Sequence, residues 1–381
     1  MKVLLLTDGI YPYTIGGMQK HSYYLAKFLA REGVILDVLI PTIPVETTAK
    51  LEDYLTLEEQ KKINFIEINQ PKVGYFPGHY IYESYKYSKN IYNQVIDHID
   101  EYDFVYAQGF TAWKLLKERS DDIKRLPIGV NFHGLEMFQI TDGIASKMEQ
   151  FLFRSPARYC LNKADYAYSL GGKLTDIIDR ETDGNTDILQ TPIGIEDYWL
   201  ENVHLNIERP RRFVFIGRYE KRKGIDLLNN VIEKNYSGDF YFDFIGPIPE
   251  EKRVDFPNVY YHGAIYEENR IIKILNQGDV LFCPSYSEGM PTVILEAMSR
   301  GLAVVATDVG AVNCLVSSQT GWLIEPGDQE LLDKTFKECI NIGEEELIDK
   351  KRAAHQLIKE EYTWTNIAKI NKQAILSAVE E

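Results

Sequence analysis

Residues 280–308 read VLFCPSYSEGMPTVILEAMSRGLAVVATD. The run VLFCPS at 280–285 is short and apolar on both sides, as a strand covered on two faces must be. A polar loop with Glu288 and Gly289 follows, Pro291 suits the first turn of a helix, and Gly301 suits its end. AVVATDV at 303–309 then reads as a second strand. Strand, helix and strand in this order make a βαβ unit, which joins parallel strands. Its helix starts beyond the carboxyl end of a strand, where open α/β sheets bind ligands.

The same alternation extends in both directions. Downstream of residue 210, RFVFIGR, YFDFIG at 241–246, NVYYHG at 258–263 and WLIE at 322–325 are strand-like. Upstream, the strand-like runs are VLLLTD at 3–8, VILDVLIP at 34–41, NFIEI at 64–68, FVYAQ at 104–108, IGVNFH at 128–133 and YAYSL at 166–170. Two sets separated by a polar stretch predict an α/β protein of two consecutive doubly wound, Rossmann-like domains. The seam falls at residues 195–210, where WLENVHLNIERPRR reads as a linker, and the cleft between the domains is the default ligand site. A closing helix is expected after Tyr362, where Ile367, Ile370, Ala374, Ile375 and Val379 keep helical spacing.

A length of 381 residues fits two or three domains of ~100 to 200 residues. With 45% hydrophobic and 26% charged residues the chain is an ordinary globular one rather than disordered. Its 57 acidic against 42 basic residues leave a formal charge of -15, which argues against nucleic acid as a partner. Any contact with phosphate or membrane has to be local. Cys160, Cys283, Cys314 and Cys339 follow no metal or CxxC spacing and read as small apolar residues of a reducing compartment. The apolar run after Lys2 meets Asp8 too soon for a secretion signal, and no stretch approaches the length of a membrane span. A cytoplasmic location is expected, and a peripheral contact at the inner face of the membrane is compatible with it.

Backbone amides of about Met290 to Val293 and the helix dipole would favour a diphosphate, with Glu296 one turn further in to hold a sugar hydroxyl pair. In FIGRYEKRKGIDLL at 215–228, Arg218 and Lys223 could close on that diphosphate. The bland reading of the same run, with Lys221 and Arg222, is a solvated face. Gly16 and Gly17 precede a helix and let the backbone approach a ligand, although they do not form the GxGxxG of a dinucleotide site. His133 ends a strand and is either a cleft residue or a structural histidine. Tyr75, Phe76, Tyr80, Tyr82, Tyr85, Tyr87 and Tyr92, with Lys86 and Lys89, read either as core packing or as an acceptor-binding or interfacial surface. QFLFRSPARYCLNK at 150–163 is similarly open between a packed helix and a membrane-contacting one.

Together these residues resemble the retaining GT-B glycosyltransferases of glycosyltransferase family 4, also described as glycosyl transferases group 1. The resemblance rests first on the paired glutamates Glu288 and Glu296 within SEGMPTVILEAMSRGLAVVATD. The GR(x)4KG element from Gly217 to Gly224, the early double glycine, the HG at His133 and TGWLIEPGD at 320–328 add to it in order. It implies transfer of a sugar from a nucleoside diphosphate donor, UDP- or GDP-linked, to an acceptor hydroxyl with retained configuration and no catalytic metal or other cofactor. The acceptor class is a glycan, a lipid-linked saccharide or a small molecule, and polysaccharide biosynthesis is the implied setting.

By the same resemblance Arg218 and Lys223 neutralise the leaving diphosphate, and Glu296 holds the donor ribose. Glu288, with the backbone at Gly289, Met290, Pro291 and Thr292, orients the donor sugar, which His133 touches from the other domain. Gly16, Gly17 and Gly217 lie near the phosphates, and His262 to Ile265 near the base. The implied domains are an acceptor domain at 1–196, completed by a helix at 363–381, and a donor domain at 197–362. Two positions depart from the family pattern: Ile193 stands where asparagine is frequent, and DVGAVNCLV lacks the usual glutamate. A sugar nucleotide 2-epimerase on the same fold and a non-enzymatic nucleotide-sugar-binding module are the alternatives. The intact set Arg218, Lys223, Glu288 and Glu296 speaks against the second.

Overall fold

Alternating apolar runs and amphipathic stretches become parallel strands and helical crossovers in the computed structural model, which describes every residue except 15, 44–49, 75–77, 120–125, 140–143, 204, 206 and 381. In chain order the first elements are β1 (Lys2–Leu6), α1 (Gly17–Arg31), β2 (Ile35–Pro41), α2 (Leu57–Gln60), β3 (Ile63–Ile68), α3 (His79–Val95) and β4 (Phe104–Gln108). There follow α4 (Trp113–Lys117), β5 (Ile128–Asn131), α5 (Ile144–Lys163), β6 (Tyr166–Ser169), α6 (Lys173–Glu181) and β7 (Asp187–Gln190). Among the described residues these strands form one sheet in the order β3-β2-β1-β4-β5-β6-β7. Every pairing in it is parallel. The order reverses direction between β1 and β4, the switch point of a doubly wound fold.

The second sheet starts with β8 (Arg211–Ile216), α7 (Ile225–Asn235), β9 (Phe240–Ile245), β10 (Val259–Tyr261), α8 (Glu268–Leu275) and β11 (Val280–Cys283). It continues with α9 (Thr292–Ser299), β12 (Ala303–Thr307), β13 (Gly321–Ile324), α10 (Gln329–Asn341) and α11 (Glu344–Glu361). Its order is β10-β9-β8-β11-β12-β13, again with parallel pairing and with a switch point between β8 and β11. Phenylalanines at alternate positions of β8 and β9 share a face. There Phe213 and Phe240 meet Phe336 of α10 at ring distances of 5.1 and 5.0 Å.

The last helix, α12 (Trp364–Glu380), belongs to the first unit, which comprises Met1–Phe138, Ile144–Ile193 and Trp364–Glu381. Buried Trp364 stacks on Tyr24 and Phe28 of α1 at 5.6 and 6.1 Å, and Lys372 Nζ donates to Glu32 O at 2.7 Å. The second unit comprises Gly194–Thr363 together with Gln139–Gly143.

Two expectations require correction. β7 was not expected, because its residues are half or fully exposed and give no continuous apolar run. Within the stretch read as a linker at 195–210, residues 199–202 are held to the body of the second unit. Buried Arg300, just past α9, donates to the carbonyls of Trp199, Glu201 and Asn202 at 2.7, 2.6 and 3.1 Å. A guanidinium with five N–H donors can satisfy three carbonyls at once, so a polar sequence is held as firmly as an apolar one.

Candidate active site

The switch point of the second unit lies between β8 and β11, and the two loops leaving those strands carry the residues singled out above. After β8 the chain passes Gly217 and makes a short helical turn, Lys221–Lys223, that Gly224 ends with φ +69. A Cβ on Gly224 would lie 2.0 Å from Pro284 O, so only glycine lets this turn press against the end of β11. Tyr286 N donates to Arg222 O at 2.7 Å and ties the two loops together. From below, Ala311 N donates to Gly289 O at 2.8 Å. Gly310 (φ +55) leaves room for the carbonyls of Glu288 and Gly289, which its Cβ would approach to 2.2 and 2.4 Å.

This framework aims Glu288. Its side chain is 8% exposed, and Oε1 accepts from Lys223 Nζ at 2.5 Å and from Ser285 Oγ at 2.7 Å. The Arg222 guanidinium stands 3.6 Å from the other carboxylate oxygen. Burial next to this carboxylate pushes the Cys283 thiol up to about 11, so that cysteine stays a neutral wall. α9 begins directly beyond, with Pro291 in the capping position and no side-chain cap, and Glu296 is half-buried on that helix. The loop therefore places a cation, a carboxylate and the positive end of a helix together.

Of the predicted cations, the structure brings Lys223 to Glu288 but leaves Arg218 72% exposed and paired with Glu220 at 2.9 Å. Arg222, read from the sequence as part of a solvated run, is the second cation beside Glu288, and Ser285 was not singled out at all. The signal for both is the backbone bond from Tyr286 to Arg222, which no local pattern announces. The His262 ring turns away from its loop, with Nε2 2.6 Å from Asp243 Oδ1. Asp243 is fully buried and also accepts from Arg212 at 2.6 and 3.1 Å. The side chain of His262 is thus engaged within the sheet, and the loop from Gly263 to buried Ile265 offers its backbone instead.

The corresponding edge of the first unit collects other groups. Gly16 caps α1 in extended backbone, and neither its conformation nor a rigid neighbour among the described residues demands glycine; around Gly17 a Cβ would meet no described residue within 4 Å. His133, with φ +51, donates from its backbone N to Asn131 Oδ1 at 2.8 Å. Burial pushes its imidazole down to about 4, so the ring is neutral at physiological pH. Sequence reasoning missed its neighbour His21, whose ring meets it edge-on at 4.6 Å and whose Nδ1 lies 3.3 Å from Gln108 Nε2. Just beyond β1, burial pushes the carboxyl of Asp8 up to about 6, and among the described residues its Oδ1 has no hydrogen-bond partner. Of the aromatic run, Tyr87 is buried and donates to Thr7 O at 3.0 Å, whereas Tyr80 and Tyr82 are exposed; Tyr75 and Phe76 lie outside the described residues.

Residues 210–341 match the family described as glycosyl transferases group 1. The chain is 32% identical over 147 residues, 39% of its length, to a putative teichuronic acid biosynthesis glycosyltransferase, TuaC, of Bacillus subtilis. It is 35% identical over 82 residues, 21% of its length, to the UDP-Gal:alpha-D-GlcNAc-diphosphoundecaprenol alpha-1,3-galactosyltransferase of Escherichia coli. These matches cover 36% and 20% of the two relatives, so the chain spans about a third or less of their length. Among solved structures, sucrose-phosphate synthase of Thermosynechococcus elongatus superposes with a TM-score of 0.74 at 16% identity, over 99% of this chain and 98% of that one. The fold is accordingly α/β with two Rossmann-like parallel sheets, of the GT-B kind.

Proposed function

We propose that this chain is a retaining glycosyltransferase that moves a sugar from a nucleoside diphosphate donor to an acceptor hydroxyl without a catalytic metal. The observation that carries the reading is the Lys223–Glu288 pair at the start of α9, at a switch point and inside the group 1 match. Without ligand, Lys223 neutralises Glu288. A donor diphosphate competes for the same ammonium, and the α9 amides from Met290 to Thr292 and the exposed Arg218 add positive potential.

In the reaction the bond from the sugar anomeric carbon to the diphosphate oxygen breaks. The acceptor oxygen bonds to that carbon on the same face, and the acceptor proton passes to the departing diphosphate. Charge develops on the leaving oxygen, so cations placed there lower the barrier more than they strengthen substrate binding. Glu288, released from Lys223, is assigned to a donor-sugar hydroxyl, Glu296 to the ribose, and the backbone of Gly263 to Ile265 to the base. Neutral His133 is assigned a hydrogen bond to the sugar rather than a charge. Gly16 and Gly17, which the first unit does not need to be small, are assigned to close approach by the donor phosphates.

The relatives' names favour a glycan or lipid-linked saccharide as acceptor and polysaccharide biosynthesis as the setting; the cytoplasmic location belongs to the proposal. Incubation with a panel of UDP- and GDP-sugars in the presence of chelator tests the reading. Turnover giving a product of unchanged anomeric configuration is expected. Epimerised nucleotide sugar without an acceptor, or complete loss of turnover in chelator, overturns it.

A further inference from the structure

A diphosphate that draws Lys223 away leaves the charge of Glu288 inside the protein. Glu288 is buried, and a buried carboxylate that loses its counter-ion is strongly destabilising unless another cation takes over. The second unit holds such a cation in place. Lys223 Nζ pairs with Glu288 Oε1 at 2.5 Å, whereas Arg222 Nη1 stands 3.6 Å from the other oxygen, Oε2. Ser285 completes the cradle. It is buried, donates from Oγ to Glu288 Oε1 at 2.7 Å, and accepts at its carbonyl from Thr307 Oγ1 at 2.5 Å.

The two cations are tethered differently. Lys223 presents a compact ammonium on a flexible four-carbon stem, which can swing from one anion to another. Arg222 is anchored at both ends: its carbonyl accepts from Tyr286 N at 2.7 Å, and its Nε donates to Glu220 Oε2 at 2.8 Å. A planar guanidinium with five N–H groups serves two carboxylates at once, so Arg222 can bridge Glu220 and Glu288 without leaving either. Arg218 pairs with the other oxygen of Glu220 at 2.9 Å but is exposed, so a diphosphate draws it off at little cost. Among these five side chains, Arg218, Arg222 and Lys223 face Glu220 and Glu288. Once the diphosphate has taken Arg218 and Lys223, Arg222 is the cation left between both carboxylates.

We propose that Arg222 is a positioning residue that holds the Glu288 carboxylate in place once Lys223 has moved to the donor diphosphate. It acts through Glu288 rather than by touching the donor. The proposal rests on the donor reading above, and two measurements keep their failures apart.

Melting without any nucleotide tests the hold. Lys223→Met and Arg222→Gln each leave one cation on Glu288, and each is expected to lower the melting temperature only slightly. The double variant leaves neither and is expected to fall by at least ~5 °C more than the two single losses combined. Adding Glu288→Gln is expected to remove that deficit. A double variant that does not fold, while its Glu288→Gln counterpart does, is the same result in stronger form. Single losses that simply add, or a deficit that persists with Glu288→Gln, overturn the proposal.

Calorimetry with UDP and GDP tests the hand-over. For the nucleotide that wild type binds, Arg222→Gln is expected to bind roughly tenfold more weakly, and Arg222→Lys to recover most of the loss. In a Glu288→Gln background no charge is stranded, and there Arg222→Gln is expected to weaken binding less than about twofold. An equal loss in both backgrounds makes Arg222 a direct phosphate contact and overturns the proposal, as does undiminished binding by Arg222→Gln. If wild type binds neither nucleotide, the donor reading fails, and the melts still decide whether Arg222 holds Glu288.

Discussion

Substituting Gly224→Ala tests whether the Lys221–Lys223 turn must press on the end of β11 for Lys223 to reach Glu288. Two costs combine. Alanine at φ +69 is in the left-handed region, at roughly 1 to 2 kcal/mol. Its methyl would lie 2.0 Å from the oxygen and 2.9 Å from the carbon of the Pro284 carbonyl, a backbone group that cannot rotate aside. Relieving such an overlap by shifting the turn costs a further ~1 to 3 kcal/mol. The sum, about 2 to 5 kcal/mol, lowers the melting temperature of a unit of this size by very roughly 4 to 20 °C. The shift also moves Lys223 away from Glu288, so binding of UDP or GDP measured by calorimetry weakens together with the melt. Gly17→Ala, where a Cβ meets no described residue within 4 Å, is the control and leaves the melt unchanged. A Gly224→Ala protein that melts within a degree of wild type and binds nucleotide equally well would refute the reasoning.

Glu288→Ala is expected to lower turnover more than donor affinity, whereas Lys223→Ala lowers both; steady-state kinetics on a turned-over nucleotide sugar separates them, and equal mild losses would return the loop to a solvated charge run. Trp364→Ala opens a cavity between α12 and α1 and costs roughly 3 to 5 kcal/mol, read by denaturant unfolding. Asp8 gives a signed pH dependence. Its carboxyl, raised to about 6 in the fold from the ordinary 3.8, favours the folded state below pH ~4, and that contribution is lost as the pH rises through about 6. Asp8→Asn is therefore expected to melt higher than wild type at pH 7.5 and no higher at pH 4, and a difference of the same size at both pH values contradicts this.

Most strands were legible because they are buried on both faces and read as unbroken apolar runs, while the more exposed β3 and β10 were read from their β-branched and aromatic residues. β7 escaped because an exposed strand leaves no such run. The helix start at Pro291 and the turn ended by Gly224 were legible for a local reason, since proline and glycine act on their own backbone. What could not be read was set by distance in the chain. Arg300 holds carbonyls about a hundred positions away, Arg222 reaches Glu288 where Tyr286 bonds its backbone, and His262 faces an aspartate 19 positions earlier on the neighbouring strand. A charged residue in a sequence looks solvated until the partner that buries it is known, and that partner is a property of the fold.

The account turns on Lys223 being the cation that a donor diphosphate takes from Glu288. Isothermal titration of UDP and GDP into wild type and Lys223→Ala, in chelator, measures this directly. Saturable binding of at least one of the two by wild type, weakened roughly tenfold or more in Lys223→Ala, is the predicted result. No binding of either nucleotide by wild type, or equal affinity in the variant, would contradict it.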